Sequence, residues 1–334
     1  MPRLLIALLL LVAPGAARAQ ESAPYRTEEV RYHNGDVALA GLLMLPPAAS
    51  GPVPAAVIIQ GSGRSDRTNM WARSIAEALV RGGTAVLLTD NRGSGASGGD
   101  WQTAGFGDLA ADALAGLEAL RARADVDSTR VGLVGLSQGG WIAPLAAARS
   151  RHVAFVVDIS GAGVSYAEQS FHEMGNTARQ AGLDSAGIRE VLALNRAAGA
   201  YLVTGDWDAY RRAREHALTT GARPVAAGFP AAPDAPIWTM LRQAYAFDPL
   251  PYWLVLEPPV LVMLGAEDER DNVPVAVSVH RLERGFAGAG KTNARVTVIP
   301  GAGHGFFADD SGALMPAFTQ ALAAWMREHV TAPR

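Results

Sequence analysis

Val131-Gly132-Leu133-Val134-Gly135-Leu136-Ser137-Gln138-Gly139-Gly140-Trp141-Ile142-Ala143 carries the reading on which the rest depends. Val131–Val134 is a short apolar run of the kind found in a strand buried on both faces. From Gly139 the residues take up a helical period that continues to Ala148. Between strand and helix stands G-x-S-x-G, in the strand–turn–helix context the motif requires. A turn this sharp lifts the Ser137 oxygen above the end of the sheet, and its glycines remove side chains that would collide in the bend. The same pattern occurs at Gly95-Ala96-Ser97-Gly98-Gly99, several residues beyond the nearest strand and with no helix starting at once. Ser97 is therefore read as a loop residue and Ser137 as the nucleophile.

Outward from this turn, apolar strands alternate with helical periods. Strands are expected at Val37–Leu45, Ala55–Ile59, Ala85–Leu88, Phe155–Ile159, Val260–Leu264 and Arg295–Ile299. Helices are expected near Asn69–Arg81, Asp108–Arg123, Pro274–Phe286 and Leu314–Val330. Continuous apolar strands separated by helices imply an α/β fold, with a mostly parallel sheet covered on both faces. The alternation stops between Ala162 and Pro249, where Ile188–Leu202 and Asp208–Leu218 read as helices and no strand is convincing. The expected organisation is a sheet domain of residues 20–161 and 250–334, with a helical lid insertion of residues 162–249. Because the insertion leaves right after a strand, it is expected over the carboxyl edge of the sheet, where open α/β sheets bind ligands.

Composition narrows the chemistry. The 334 residues include no Cys, which excludes disulfides, zinc–thiolate sites and a Cys nucleophile. A net charge of −3 offers no broad electrostatic footprint for nucleic acid. Residues 1–19 read as an export signal. Arg3 precedes the apolar run Leu4–Ala13, Pro14-Gly15 closes it, and Ala17-Arg18-Ala19 has the small-x-small pattern of a cleavage site. The expected mature protein is periplasmic or secreted, with no stable membrane insertion.

A nucleophilic Ser needs a base and a group that holds the base. The strand Val260–Leu264 runs into Gly265-Ala266-Glu267-Asp268, and Arg295–Ile299 runs into Pro300-Gly301-Ala302-Gly303-His304-Gly305-Phe306. Both segments follow strands at the edge where active sites of such sheets lie. Ser137, Asp268 and His304 thus appear in the order nucleophile, acid, base. Asp271 is a second candidate for the acid. An oxyanion site would draw on the backbone N–H of Gln138 and on the loop Gln60-Gly61-Ser62-Gly63, with Ser62 as the first candidate donor and Gly61 as the next.

Taken together, these stretches resemble the α/β-hydrolase superfamily, near the exported esterases and serine-aminopeptidase-like hydrolases. The matching segments are Gln60–Gly63, Asp90-Asn91-Arg92-Gly93-Ser94-Gly95-Ala96-Ser97, Gly135–Gly140, Gly265–Asp268 and Gly301–Phe306. Gln60 stands where the superfamily often has His, and Asp268–Pro274 is longer before its Val-Pro than the usual spacing. The resemblance implies a serine hydrolase that cleaves carboxylic esters through an acyl-enzyme, with no metal or organic cofactor and a small-molecule ester as its partner. The alternative is a serine aminopeptidase, or another amide or thioester hydrolase with the same triad. An aminopeptidase needs an acidic anchor for the free amine, for which Glu168, Glu173 and Asp184 are the candidates in the insertion.

Other signals carry less. Gly93–Gly98 matches G-x-G-x-x-G but does not open a helix at once, as a dinucleotide loop must. Arg211-Arg212-Ala213-Arg214 reads as a solvated helix face. The remaining histidines show no metal-ligand spacing. Trp207, Trp238, Tyr245, Phe247 and Trp253 read as core of the insertion.

Overall fold

The computed structural model describes residues 25–47 and 51–332, so the expected export signal lies outside the described residues. Eight strands form one sheet: β1 (Arg26–Asn34), β2 (Val37–Leu45), β3 (Val53–Ile59), β4 (Ala85–Thr89), β5 (Val126–Leu136), β6 (Val156–Ile159), β7 (Val260–Gly265) and β8 (Ala294–Ile299). Their spatial order is β1-β2-β4-β3-β5-β6-β7-β8. β2 runs antiparallel to both β1 and β4, and every other pairing is parallel. Strand β5, which leads into Ser137, therefore sits near the middle and is flanked on both sides by buried strands.

The helices follow as α1 (Met70–Arg81), α2 (Phe106–Arg121), α3 (Gly139–Ala147), α4 (Tyr166–Gln180), α5 (Ser185–Thr204), α6 (Trp207–Leu218), α7 (Arg223–Ala226), α8 (Ile237–Ala244), α9 (Leu250–Val255), α10 (Val275–Gly288) and α11 (Pro316–Met326). Side chains of the central strands alternate between two apolar layers, as the two-residue period of a strand requires. Val57, Leu87, Leu133 and Val262 pack with α2, α3, α9 and α10 through residues such as Leu117, Ile142, Trp253 and Leu282. Ile58, Leu88, Val134 and Met263 pack with α1 and α11 through Ile75, Phe318 and Trp325. A strand with both faces covered in this way has no polar side to show, which is why its sequence reads as an unbroken apolar run.

No residue between Ile159 and Val260 lies in a strand. Helices α4 to α8 build a separate small core around Val191, Leu194, Tyr201, Tyr210 and Trp238. Their starts are set by caps: the Ser165 hydroxyl and Glu168 form a capping box on α4, and Asp184 and Asp206 accept from the first turns of α5 and α6. Those caps place the starts of α5 and α6 a few residues earlier than hydrophobic periodicity did. Among the aromatics read as core of the insertion, Trp253 belongs instead to the sheet's own core. None of the described helices is long and apolar enough to cross a membrane.

One polar group lies deep in the sheet. Asp158 on β6 is 1% exposed, and its Oδ1 accepts from the Gly161 N–H at 2.8 Å. Burial pushes its carboxyl from an ordinary 3.8 up to about 8. The folded chain therefore keeps a proton on Asp158 that the unfolded chain releases. Stability from this group is present at acid pH and is lost as pH rises from about 4 towards 8. Asp158→Asn, which has no proton to lose, should gain in Tm relative to the parent as pH moves from 5 to 8. Thermal unfolding of both proteins at the two pH values checks this, and an unchanged Tm difference would contradict it.

Candidate active site

Ser137 follows the last residue of β5 and precedes α3, with φ of 53°. A non-glycine residue in this left-handed region costs on the order of 1 kcal/mol and persists only where its surroundings enforce it. The enforcement is visible in the neighbouring glycines. A Cβ on Gly135 would stand 2.2 Å from the Gly139 carbonyl oxygen, and one on Gly139 would stand 2.1 Å from that of Ile59. On Gly140 it would meet the Asp158 Oδ1 at 2.1 Å. Strand, helix and the loop after β3 thus close around the turn with no room for side chains, and Ser137 is presented at the carboxyl end of the sheet.

The other two candidates of the triad meet there. Asp268 sits in a short 3-10 turn after β7, fully buried, and His304 in the loop after β8. The His304 Nδ1 lies 2.7 Å from the Asp268 Oδ2. With Nδ1 donating to the carboxylate, Nε2 is the nitrogen free to accept a proton. The other oxygen of Asp268 accepts from the Asn272 N–H at 3.2 Å. Asp271 is exposed, and its carboxylate meets the Gln180 Nε2 at 3.4 Å, so it is Asp268 that the fold brings to the imidazole. The Ser160 hydroxyl donates to the His304 carbonyl at 2.7 Å, which ties the His loop to the end of β6. On the other side, the Trp71 ring packs against the imidazole with centroids 5.3 Å apart. No hydrogen bond joins the Ser137 Oγ to His304.

The loop after β3 closes the site from the opposite flank. A Cβ on Gly61 would lie 3.4 Å from that of Ser137, which shows how nearly the loop backbone touches the nucleophile. Gln60 is buried, donating to the Thr89 carbonyl and accepting from the Ser65 hydroxyl at 2.5 Å. The Asn91 Nδ2 donates to the carbonyls of Gly61 and Gly63. Side-chain bonds thus hold the loop without a His. Among the described residues, the N–H groups of Ser62 and Gln138 donate to no protein acceptor, and both residues border the cavity above Ser137. Unspent donors at the start of a helix are what an oxyanion requires.

That cavity holds ≈740 Å³, with Ser137 and Gln138 at its floor and α4, α5 and α8 supplying much of its wall. Its surface is largely apolar: Trp141, Tyr166, Met174, Leu202, Phe229 and Trp238 all line it. Trp238 therefore serves the cavity as well as the insertion's core, and Tyr245, read as core, lines the cavity. Glu173 is the one ionisable carboxylate in the lining, which contains no Lys, Arg or His. Among the described residues it makes no hydrogen bond or salt bridge. Burial pushes its carboxyl above the ordinary Glu range; His304 opposes this, while Asp271 and Asp268 add to it. The other two candidate anchors are spent elsewhere, Glu168 on the Ser165 cap and Asp184 on the Gly187 N–H at 2.8 Å. Ser97 is committed too, donating to the Asp90 carbonyl and accepting from the Ala40 N–H, both at 2.9 Å. Among the described residues no group of three or more His, Asp or Glu is placed to hold a metal ion.

Sequence reading missed Trp71, and it missed the polar edge of α4 that reaches the acid loop. Both are ordinary helix residues whose role depends on which element packs beside them, so no local signal marks them.

Fold and site define an α/β-hydrolase, with a nucleophile turn, an acid–base pair and a covered cavity at the carboxyl edge of the sheet. The chain belongs to the X-Pro dipeptidyl-peptidase (S15) family, whose model matches residues 34–262 and so includes Ser137 but stops before Asp268 and His304. No curated protein sequence matches it. Among solved structures, an esterase of Pyrococcus furiosus is 17% identical, with 92% of each chain covered and a TM-score of 0.58. Est1E of Butyrivibrio proteoclasticus, with ferulic acid bound, is 20% identical over 90% of this chain and 99% of its own, at 0.58. An acylaminoacyl peptidase of Pyrococcus horikoshii is 15% identical over 93% of this chain and 43% of its own, also at 0.58. The protein is a hydrolase of this superfamily.

The strained turn makes a measurable prediction. Ser137→Gly should relieve the positive φ and raise stability by up to about 1 kcal/mol, whereas Gly139→Ala should cost about 1–3 kcal/mol through overpacking. Gly98→Ala, whose Cβ meets its nearest neighbour at 3.4 Å, should be far milder than Gly139→Ala. Urea unfolding of the three variants ranks them.

Proposed function

We propose that the protein hydrolyses carboxylic esters by acyl transfer to Ser137. The Ser137 Oγ attacks the carbonyl carbon while the His304 Nε2 takes its proton, and Asp268 holds the imidazole and stabilises its charged form. The developing oxyanion is received by the N–H groups of Ser62 and Gln138, with Gly61 the alternative donor in the same loop. The imidazolium then protonates the departing alcohol. Water activated by His304 releases the acid and restores the serine. The observation that carries this reading is the contact of 2.7 Å between the half-buried His304 and the buried Asp268, beside a serine held at positive φ on the floor of an apolar cavity. Largely apolar walls suit uncharged acyl or alcohol groups, and an ester leaves with less acid assistance than an amide. Export to the periplasm or medium is part of the same proposal and rests on the sequence of residues 1–19.

The test is active-site labelling with a fluorophosphonate, together with turnover of p-nitrophenyl butyrate. The parent should be labelled at Ser137 and active. Ser137→Ala should lose both while remaining folded, with turnover down by several orders of magnitude. Labelling at Ser97, or full activity in Ser137→Ala, would refute the assignment.

Glu173 favours a second reading of the substrate. A lone carboxylate in an apolar cavity is a receptor for a protonated amine, so an acyl group bearing a free amine would be held where an acetylated one would not. The family's dipeptidyl-peptidase name points the same way. On this reading, an aminoacyl p-nitroanilide should be cleaved faster than its N-acetyl form, and Glu173→Gln should remove that advantage. Glu173 must be ionised to act, and its pKa is raised, so the free-amine advantage should fade as pH falls through that pKa. The ratio of the two substrates cancels any pH dependence that both share. A ratio near one in the parent would leave the simple ester reading.

A further inference from the structure

The acid loop is unusually long, with Glu269, Arg270, Asp271 and Asn272 standing between Asp268 and the Val273-Pro274 that opens α10. Helix α4 of the insertion lies across it. His172, Asn176 and Gln180 recur at four-residue spacing and so share one edge of that helix. Each reaches a backbone carbonyl of the loop. The His172 Nε2 is 2.8 Å from the Glu269 oxygen, and the Gln180 Nε2 is 3.1 Å from that of Arg270. The Asn176 Nδ2 donates twice, to Glu269 at 3.1 Å and to Asp271 at 3.0 Å, while its own oxygen accepts from Arg179 at 2.6 Å. Asn176 is 6% exposed and has every polar atom engaged.

These three carbonyls lie in the same short loop as the donors to Asp268, and one of them belongs to a donor, Asp271. The Asp271 N–H donates to the Asp268 carbonyl at 2.9 Å, and the Asn272 N–H donates to the Asp268 Oδ1 at 3.2 Å. Moving the loop backbone moves the donor that orients the carboxylate facing His304. A neighbouring edge of α4, through Gln169, Glu173 and Thr177, lines the cavity.

From this we infer that α4 is a strap that positions the acid of the triad, and that Asn176 is its principal positioning residue. Without the strap, four loop residues would be free to let Asp268 turn from the imidazole. With it, the cavity wall and the acid are set by one rigid helix, so the insertion must be docked for the base to be held. The inference rests on the triad reading given above.

A double-mutant cycle tests it with p-nitrophenyl butyrate. Asn176→Ala should lower kcat by about tenfold, with KM changed by less than about twofold. In an Asp268→Asn background, where no aspartate carboxylate remains to be aimed, the same substitution should change kcat by less than about twofold. Gln180→Ala, at the exposed end of the edge, should show a smaller loss of the same non-additive kind. It provides the readout if Asn176→Ala does not fold. Equal losses in both backgrounds, or a loss confined to KM, would overturn the strap. Full turnover in Asp268→Asn alone would instead remove the triad reading, and the strap with it.

Discussion

Backbones meet directly beneath the site: Gly139 of α3 packs against the Ile59 carbonyl of β3, and Gly135 of β5 packs against Gly139, with no room for a Cβ on either glycine. Almost everything at the site depends on that approach. Ser137 is driven to positive φ because strand and helix must turn within two residues. The loop after β3 comes within reach of the nucleophile because no side chain separates them. Gly140 and Gly161 close over Asp158, and that closeness keeps a carboxyl dry enough to hold its proton near neutral pH. Strain in the turn is local, and the two apolar layers that clamp β5 and α3 hold it in place.

Ser137, Asp268 and His304 come from the carboxyl ends of β5, β7 and β8, with β6 between them. Parallel pairing holds those ends level, so loops far apart in sequence meet above one edge of the sheet. The pairing alone does not orient the side chains. His304 is set by Asp268, by the Ser160 hydroxyl on its backbone and by the Trp71 ring beside it. Each contact comes from a different element, and together they leave the imidazole little freedom except at Nε2.

The insertion does more than cover this edge. Its apolar residues enclose a cavity in which a charged group is poorly solvated, and a single carboxylate, Glu173, is placed in that environment. Elsewhere in the insertion Glu168, Asp184 and Asp206 cap helices, Glu190 pairs with His216, and Asp208 and Glu215 pair with Arg211. Glu173 has no such partner among the described residues, and burial in the apolar wall raises its pKa.

The sequence by itself determined the central strands, the nucleophile turn and the places of Asp268 and His304. Buried parallel strands must be apolar throughout, and a turn with no room for side chains must be glycine. It did not reveal β1, whose Arg26-Thr27-Glu28-Glu29 is polar because the strand lies at the sheet's edge; only the Asn34-Gly35-Asp36 turn hinted at it. The choice among Glu168, Glu173 and Asp184 was equally closed to sequence, since all three are acids in helical surroundings. Tertiary structure decided it by spending two of them on helix caps and turning the third into the cavity. The same holds for Asp268 over Asp271 and for Asn176 on the acid loop. Local pattern reports what a residue's own element needs, whereas the partner of a polar side chain is set by whichever distant segment packs against it.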